Sequence, residues 1–126
     1  MLQNLLFIGL GGFLGATSRY LISTLFHQSF PMGTLVVNIA GSLVIGIFLA
    51  LALQTGLKQN SFTYLFFVTG LCGAFTTFSA FSQDNLVFLM EKNFMGFSLN
   101  IMANIALCLF ATFVGYLIVG YVSKIT

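Results

Sequence analysis

Long apolar runs, each closed by a short polar segment, cover almost the whole chain. A helix of about 20 apolar residues crosses the hydrocarbon core of a bilayer, which is about 30 Å thick. Helices are expected because lipid offers free backbone groups no hydrogen bonds, and the continuous runs lack the alternation of membrane β-strands. The pattern predicts an all-α membrane protein of one domain, residues 1–126, with four transmembrane helices at about residues 2–26, 33–53, 62–90 and 94–122.

The amino-acid composition excludes several classes of function. Only 5% of the 126 residues are charged and 59% are hydrophobic, whereas about a quarter of a soluble domain is charged. This excludes an enzyme with a soluble catalytic domain, and the single His27 has no partner carboxylate nearby in the sequence. The apolar composition makes membrane lipid an expected partner. The net charge of +2 comes without a basic cluster, so nucleic acid is not an expected partner.

The third apolar run is too long for a simple span. Residues 61–90 would form a helix of about 45 Å at 1.5 Å per residue. Gly70 and Gly73 lie near its centre, followed by several hydroxyl residues. Broken helices occur at membrane depth where the backbone lines a site or is buried in protein. We therefore expect a break near residues 73–77; the alternative is a continuous tilted helix with an overhanging end.

The cationic side chains give almost no preferred orientation. With the N-terminus in the cytoplasm, Lys58 and Lys124 face inward, whereas Lys92 and Arg19 face outward. The positive-inside rule therefore does not choose between the two orientations. The hypothesis that follows is insertion in both orientations, with opposite copies pairing into an antiparallel dual-topology homodimer.

Polar residues inside the apolar runs are candidates for function because they are costly in a membrane. The Asn38 amide either bonds a neighbouring helix or donates to a dehydrated anion, and Arg19 either reaches an interface or attracts anions at a vestibule. Asp84 is an interfacial residue, a group at a pore mouth or a partner of Arg19. A fourth-run stripe at four-residue spacing, which faces either a partner or a wet path, comprises Asn100, Asn104, Cys108 and Thr112.

Three phenylalanines at three-residue spacing alternate with hydroxyl residues in the third run: Phe75, Phe78 and Phe81 with Thr76, Thr77, Ser79 and Ser82. An aromatic ring is electropositive at its edge, so ring edges and hydroxyls together can replace the hydration shell of an anion. The alternative is that the rings are ordinary packing residues, since the chain holds sixteen phenylalanines.

Three motifs resemble the Fluc (CrcB-type) fluoride channels: GATSR at 15–19, GTLVVN at 33–38 and TGLCGAFTTFSAFS at 69–82. The resemblance covers the whole chain in length, number of spans and order of motifs. It implies an antiparallel homodimer with two pores in the bacterial cytoplasmic membrane, where passive efflux of fluoride relieves its toxicity. The alternative, a small dual-topology exporter of organic cations, needs a carboxylate in the first span, which has none.

The resemblance also implies a role for each residue of the motifs. Asn38 would line the pore, Phe78 and Phe81 would turn ring edges to fluoride, and the neighbouring hydroxyls would be those of Thr77, Ser79 and Ser82. Arg19 would stand in a vestibule, with Asp84 where relatives often have glutamate. The carbonyls of Gly73 and Thr76 from both subunits would surround a structural sodium ion (Na⁺). Ala80 and Ala74 depart from the usual threonine and glycine.

Overall fold

The computed structural model describes residues 1–26 and 30–122, and His27 and Lys124 lie outside these ranges. Within these ranges four segments are long and apolar enough to cross a membrane, so the predicted all-α architecture with four spans is confirmed. The elements are α1 (Leu2–Leu25), α2 (Met32–Thr55), a π-helical segment (Tyr64–Cys72), α3 (Gly73–Phe75), α4 (Phe78–Met90) and α5 (Phe94–Val122).

The ends of two helices are stabilised by residues that are common at helix termini, a glycine at one and an asparagine at the other. Gly56 closes α2 in the left-handed region at φ 65°, where glycine has no steric penalty. The turn between α4 and α5 contains Lys92 at φ 57°, and the Asn93 side chain accepts a 2.8 Å hydrogen bond from the Gly96 N–H. This bond supplies a partner to one of the free N–H groups at the start of α5.

The third membrane segment changes its helical form along its length. It begins as the π-helical segment, tightens into the short α3 and leaves helical geometry at Thr76 and Thr77. Thr77 has 13 residues of the segment Tyr64–Met90 on either side, since the segment has 27 in all. The interruption therefore falls at the middle residue of this segment.

Glycines on α1 allow its backbone to lie directly against the π-helical segment. A Cβ on Gly11 would collide with the Phe66 carbonyl oxygen, and one on Gly15 would collide with the Leu71 carbonyl oxygen. Gly11 and Gly15 are four residues apart and form a GxxxG motif, whereas the two residues they contact on the wider π-helical coil are five residues apart. This GxxxG motif therefore packs two segments of one chain against each other.

Small residues also bring α2 and α5 together. A Cβ on Gly46 would collide with the backbone of Thr112, and one on Gly115 would collide with the Leu43 carbonyl oxygen. The two helices pack side by side at backbone distance, so the Asn38 face of α2 lies beside the polar stripe of α5.

Most large apolar side chains of the single chain face outward. Among the described residues only six hydrophobic side chains are buried, whereas residues such as Phe13, Phe78 and Phe110 are mainly exposed. Such a surface is costly in water and suits lipid or another copy of the protein.

A Gly11→Val substitution tests the contact between α1 and the π-helical segment. We expect it to lower the free energy of unfolding by about 1–3 kcal/mol, because the new side chain would overlap backbone atoms. The measurement is denaturant unfolding in detergent. Gly9→Val is the matched control because a Cβ on Gly9 meets nothing within 4 Å; equal stability of the two variants would contradict the packing argument.

Candidate functional site

A cavity of about 320 Å³ lies between α2, the interruption at Thr76 and Thr77, the start of α4 and the middle of α5. Its lining combines amides, hydroxyls, a thiol, aromatic rings and aliphatic side chains. The lining residues are Asn38, Ser42, Ile45, Thr76, Thr77, Phe78, Phe81, Asn104, Ile105, Cys108 and Thr112.

The Asn38 side chain holds the backbone of Thr77. Its Oδ1 accepts a 2.8 Å hydrogen bond from the Thr77 N–H, and its Nδ2 donates to the Thr77 carbonyl at 3.2 Å. In an uninterrupted helix the Thr77 N–H would instead bond the Gly73 carbonyl. The amide of α2 therefore satisfies both backbone groups of a residue that is only 6% exposed.

The Thr77 side chain also caps the N-terminus of α4. Its backbone is extended, at φ −149° and ψ 113°, and its Oγ1 accepts from the Ala80 N–H at 3.1 Å. The Ser79 hydroxyl lies 3.1 Å from the same Oγ1. This is the usual cap of a helix N-terminus, so the sequence places a capping threonine at the new helix start.

A chain of asparagine amides continues from Asn38 into α5. Asn38 Nδ2 donates to Asn104 Oδ1 at 3.1 Å, and Asn104 Nδ2 donates to the Asn100 side-chain oxygen at 2.9 Å. Asn104 is 6% exposed and Asn100 is fully buried. Asn104 thus joins the polar stripe to α2 and lines the cavity together with Cys108 and Thr112, whereas Asn100 bonds Asn104 within α5.

The two rings of the cavity come from the first turn of α4. The centroids of Phe78 and Phe81 are 5.3 Å apart and the ring planes are inclined by 50°. Phe78 is 77% exposed, so most of its ring extends beyond the chain, whereas Phe81 is half-buried. The Phe81 carbonyl accepts a 2.8 Å bond from the buried Asn85 side chain.

Several predicted site residues lie outside the cavity lining. Ser79 and Ser82 are exposed, and the Ser82 hydroxyl donates to the Phe78 carbonyl. Arg19 is half-buried on α1. Asp84 is half-buried on α4.

The carbonyls at the end of α3 lose their usual helical partners. The N–H that would bond the Gly73 carbonyl belongs to Thr77 and bonds Asn38 instead. The N–H that would bond the Thr76 carbonyl belongs to Ala80 and bonds the Thr77 hydroxyl. Both oxygens are therefore available to another ligand, and Gly73 is exposed.

Sequence reasoning left part of the lining unassigned. The four-residue spacing of Asn104, Cys108 and Thr112 indicates a shared face that meets either a partner or a wet path, but it does not say which. Ser42 forms with Gly46 a pair of small residues four positions apart, which indicates helix packing. Ile45 and Ile105 carry no signal, because aliphatic residues are ordinary at every position of a membrane helix.

Fold and site together define a small multi-pass membrane protein with an amide-rich and aromatic cavity at an interrupted helix. Residues 6–116 match the family model described as CrcB-like protein, Camphor Resistance (CrcB). The chain belongs to this family.

Curated relatives cover nearly the full chain. A protein of Campylobacter lari is 46% identical over 122 residues, which are 94% of this chain and 98% of the relative. A Campylobacter jejuni protein matches with the same identity and coverage, and one of Shewanella baltica is 42% identical over 118 residues, which are 90% of this chain and 94% of the relative. All three are named fluoride-specific ion channel FluC. These relatives and the four apolar helices identify a multi-pass bacterial membrane protein.

Proposed function

We propose that the protein is a channel through which fluoride leaves the bacterial cytoplasm passively, relieving fluoride toxicity. The relatives named fluoride-specific ion channel support this proposal, as does the membership of the chain in their family. The observation that carries it is the cavity in which the Asn38 amide and the rings of Phe78 and Phe81 meet beside Thr77.

The chemistry of the cavity suits a small anion. A dehydrated fluoride ion needs hydrogen-bond donors and positive ring edges in place of water. Asn38 contributes N–H groups, which bond the Thr77 carbonyl and Asn104 Oδ1 and would turn to the ion as it passes. Phe78 and Phe81 contribute ring edges. None of the described residues that line the cavity is acidic, so nothing there attracts the organic cation that an exporter would carry.

The remaining site residues extend this pathway. In the proposal, the hydroxyls of Thr77, Ser79 and Ser82 form a polar stretch beside the rings. Arg19 is a fixed positive charge at a vestibule and draws anions toward the cavity. Asp84, half-buried on α4, is proposed to lie at the same vestibule.

The working unit is proposed to be an antiparallel dual-topology homodimer in the inner membrane. In this arrangement the third segment crosses the membrane in two pieces, with the break at Thr77 at mid-depth. The exposed ring of Phe78 and the exposed Gly73 support a second copy at this level. The ring of one copy would then complete the cavity of the other.

A structural sodium ion on the axis of that dimer completes the proposal. Sodium at unwound helices is coordinated by backbone carbonyls. The carbonyls of Gly73 and Thr76 fit this role because their helical N–H partners are engaged elsewhere. Two copies would supply four such oxygens, and the ion would hold the two breaks together without entering the fluoride path.

Efflux from liposomes tests the function directly. Purified protein is reconstituted into vesicles loaded with fluoride, and release is followed with a fluoride electrode; chloride-loaded vesicles are the matched comparison. We expect rapid release of fluoride and retention of chloride. Retention of both ions by correctly folded protein would refute the channel, and equal release of both would refute its selectivity.

A further inference from the structure

The orientation of the Asn38 amide decides whether the cavity offers a donor or an acceptor. The two ends of an asparagine side chain have nearly the same shape, but one donates hydrogen bonds and the other accepts them. An Asn38 amide rotated by 180° would turn an oxygen toward Asn104 and its NH₂ toward the Thr77 N–H. The direction of this amide is therefore a condition for passing anions.

Asn104 has its own orientation fixed by α5. Its Nδ2 donates to Asn100 twice, to the backbone oxygen at 3.1 Å and to Oδ1 at 2.9 Å. Only the oxygen of Asn104 then remains for Asn38, and it receives the 3.1 Å bond from Asn38 Nδ2. Asn104 is 6% exposed and Asn100 is fully buried, so water offers few alternative partners.

From this arrangement we infer that Asn104, anchored by Asn100, is a positioning residue for Asn38. Its oxygen accepts only from a donor, so it acts together with the Thr77 backbone to keep the NH₂ end of Asn38 toward α5 and the oxygen end on the Thr77 N–H. A reversed Asn38 would set two oxygens against each other at Asn104 and two donors against each other at Thr77, both in a buried place. The inference rests on the proposed fluoride channel, and it names the residue that helps to hold the Asn38 amide in one orientation.

The substitution that tests this role is Asn104→Leu, which keeps the side-chain size and removes the acceptor. We expect the fluoride efflux rate to fall about tenfold, because only the two bonds to the Thr77 backbone then hold the Asn38 amide, and its preference for one orientation is weaker. Asn100→Leu leaves Asn104 one of its two anchoring bonds, the backbone oxygen, and a smaller loss is expected. Asn4→Leu, on α1 and away from the cavity, is the matched control and should conduct like the parent protein.

A spectroscopic measurement separates positioning from loss of fold. In protein labelled with ¹⁵N at asparagine, the Asn38 side-chain amide resonances, assigned with an Asn38→Ser variant, should move or broaden in Asn104→Leu and remain in place in Asn4→Leu. An unchanged Asn38 resonance with unchanged efflux would overturn the inference. If the parent protein itself released no fluoride, the proposed function would fail, and the resonance would still decide the role of Asn104.

Discussion

An Asn38→Asp variant is expected to lose fluoride efflux by about a hundredfold or more. Aspartate has only acceptors when ionised, so it keeps the bond from the Thr77 N–H and loses those to the Thr77 carbonyl and to Asn104 Oδ1. Both of these oxygens would then face a carboxylate oxygen. A charge at the centre of a membrane helix costs about 2.5–3.5 kcal/mol, and the same charge repels an anion in the path.

The measurement is efflux from liposomes, made beside Asn60→Asp as a matched control. Asn60 is an exposed residue of the loop after α2, so the same chemical change there should leave efflux unaltered. Both proteins must elute from a sizing column as the parent does. Efflux of Asn38→Asp within threefold of the parent rate would remove Asn38 from the fluoride path.

The membrane architecture could be predicted because it follows from local properties of the chain. Continuous apolar runs must become helices in lipid, and the short polar segments at 54–60 and 91–93 fix where the helices end. In the described part of the chain, α2 ends at Thr55 and α5 begins at Phe94. The apolar pattern does not distinguish a π-helix from an α-helix, so it could not predict the π-helical form of Tyr64–Cys72, which packs against Gly11 and Gly15 of α1.

The site could be predicted less completely, because its decisive contacts are long-range. The sequence marked Asn38 and Thr77 as unusual, but they are 39 positions apart and nothing local pairs them. Sequence reasoning treated Asn38 as either a helix-packing amide or an anion donor. The structure gives it a third task, since its oxygen and one of its N–H groups hold the backbone where the helix stops.

Restricting the protein to one orientation is expected to abolish efflux, and this is the strongest test of the proposed dimer. The loop that contains Lys58 and the turn that contains Lys92 lie at opposite ends of the third segment, so they reach opposite sides of a membrane. The double substitution Gln59→Lys with Asn60→Lys should keep the Lys58 loop in the cytoplasm. The double substitution Met90→Lys with Glu91→Lys should keep the Lys92 turn there instead. All four positions are exposed.

Each double variant expressed alone then gives copies of one orientation, which cannot form an antiparallel pair. Efflux should fall to the background of empty vesicles, whereas coexpression of the two variants should restore it because each supplies the orientation that the other lacks. The matched controls carry glutamine in place of the added lysines, with Gln59 left unchanged, and should conduct when expressed alone. Full efflux from either lysine variant alone would exclude an obligatory antiparallel dimer, and so would two lysine variants that insert and fold but fail to conduct together. In that case one sequence can supply both halves of a symmetric channel because its natural Lys and Arg side chains are nearly equally divided between the two sides of the membrane. A few added lysines are then enough to decide the orientation.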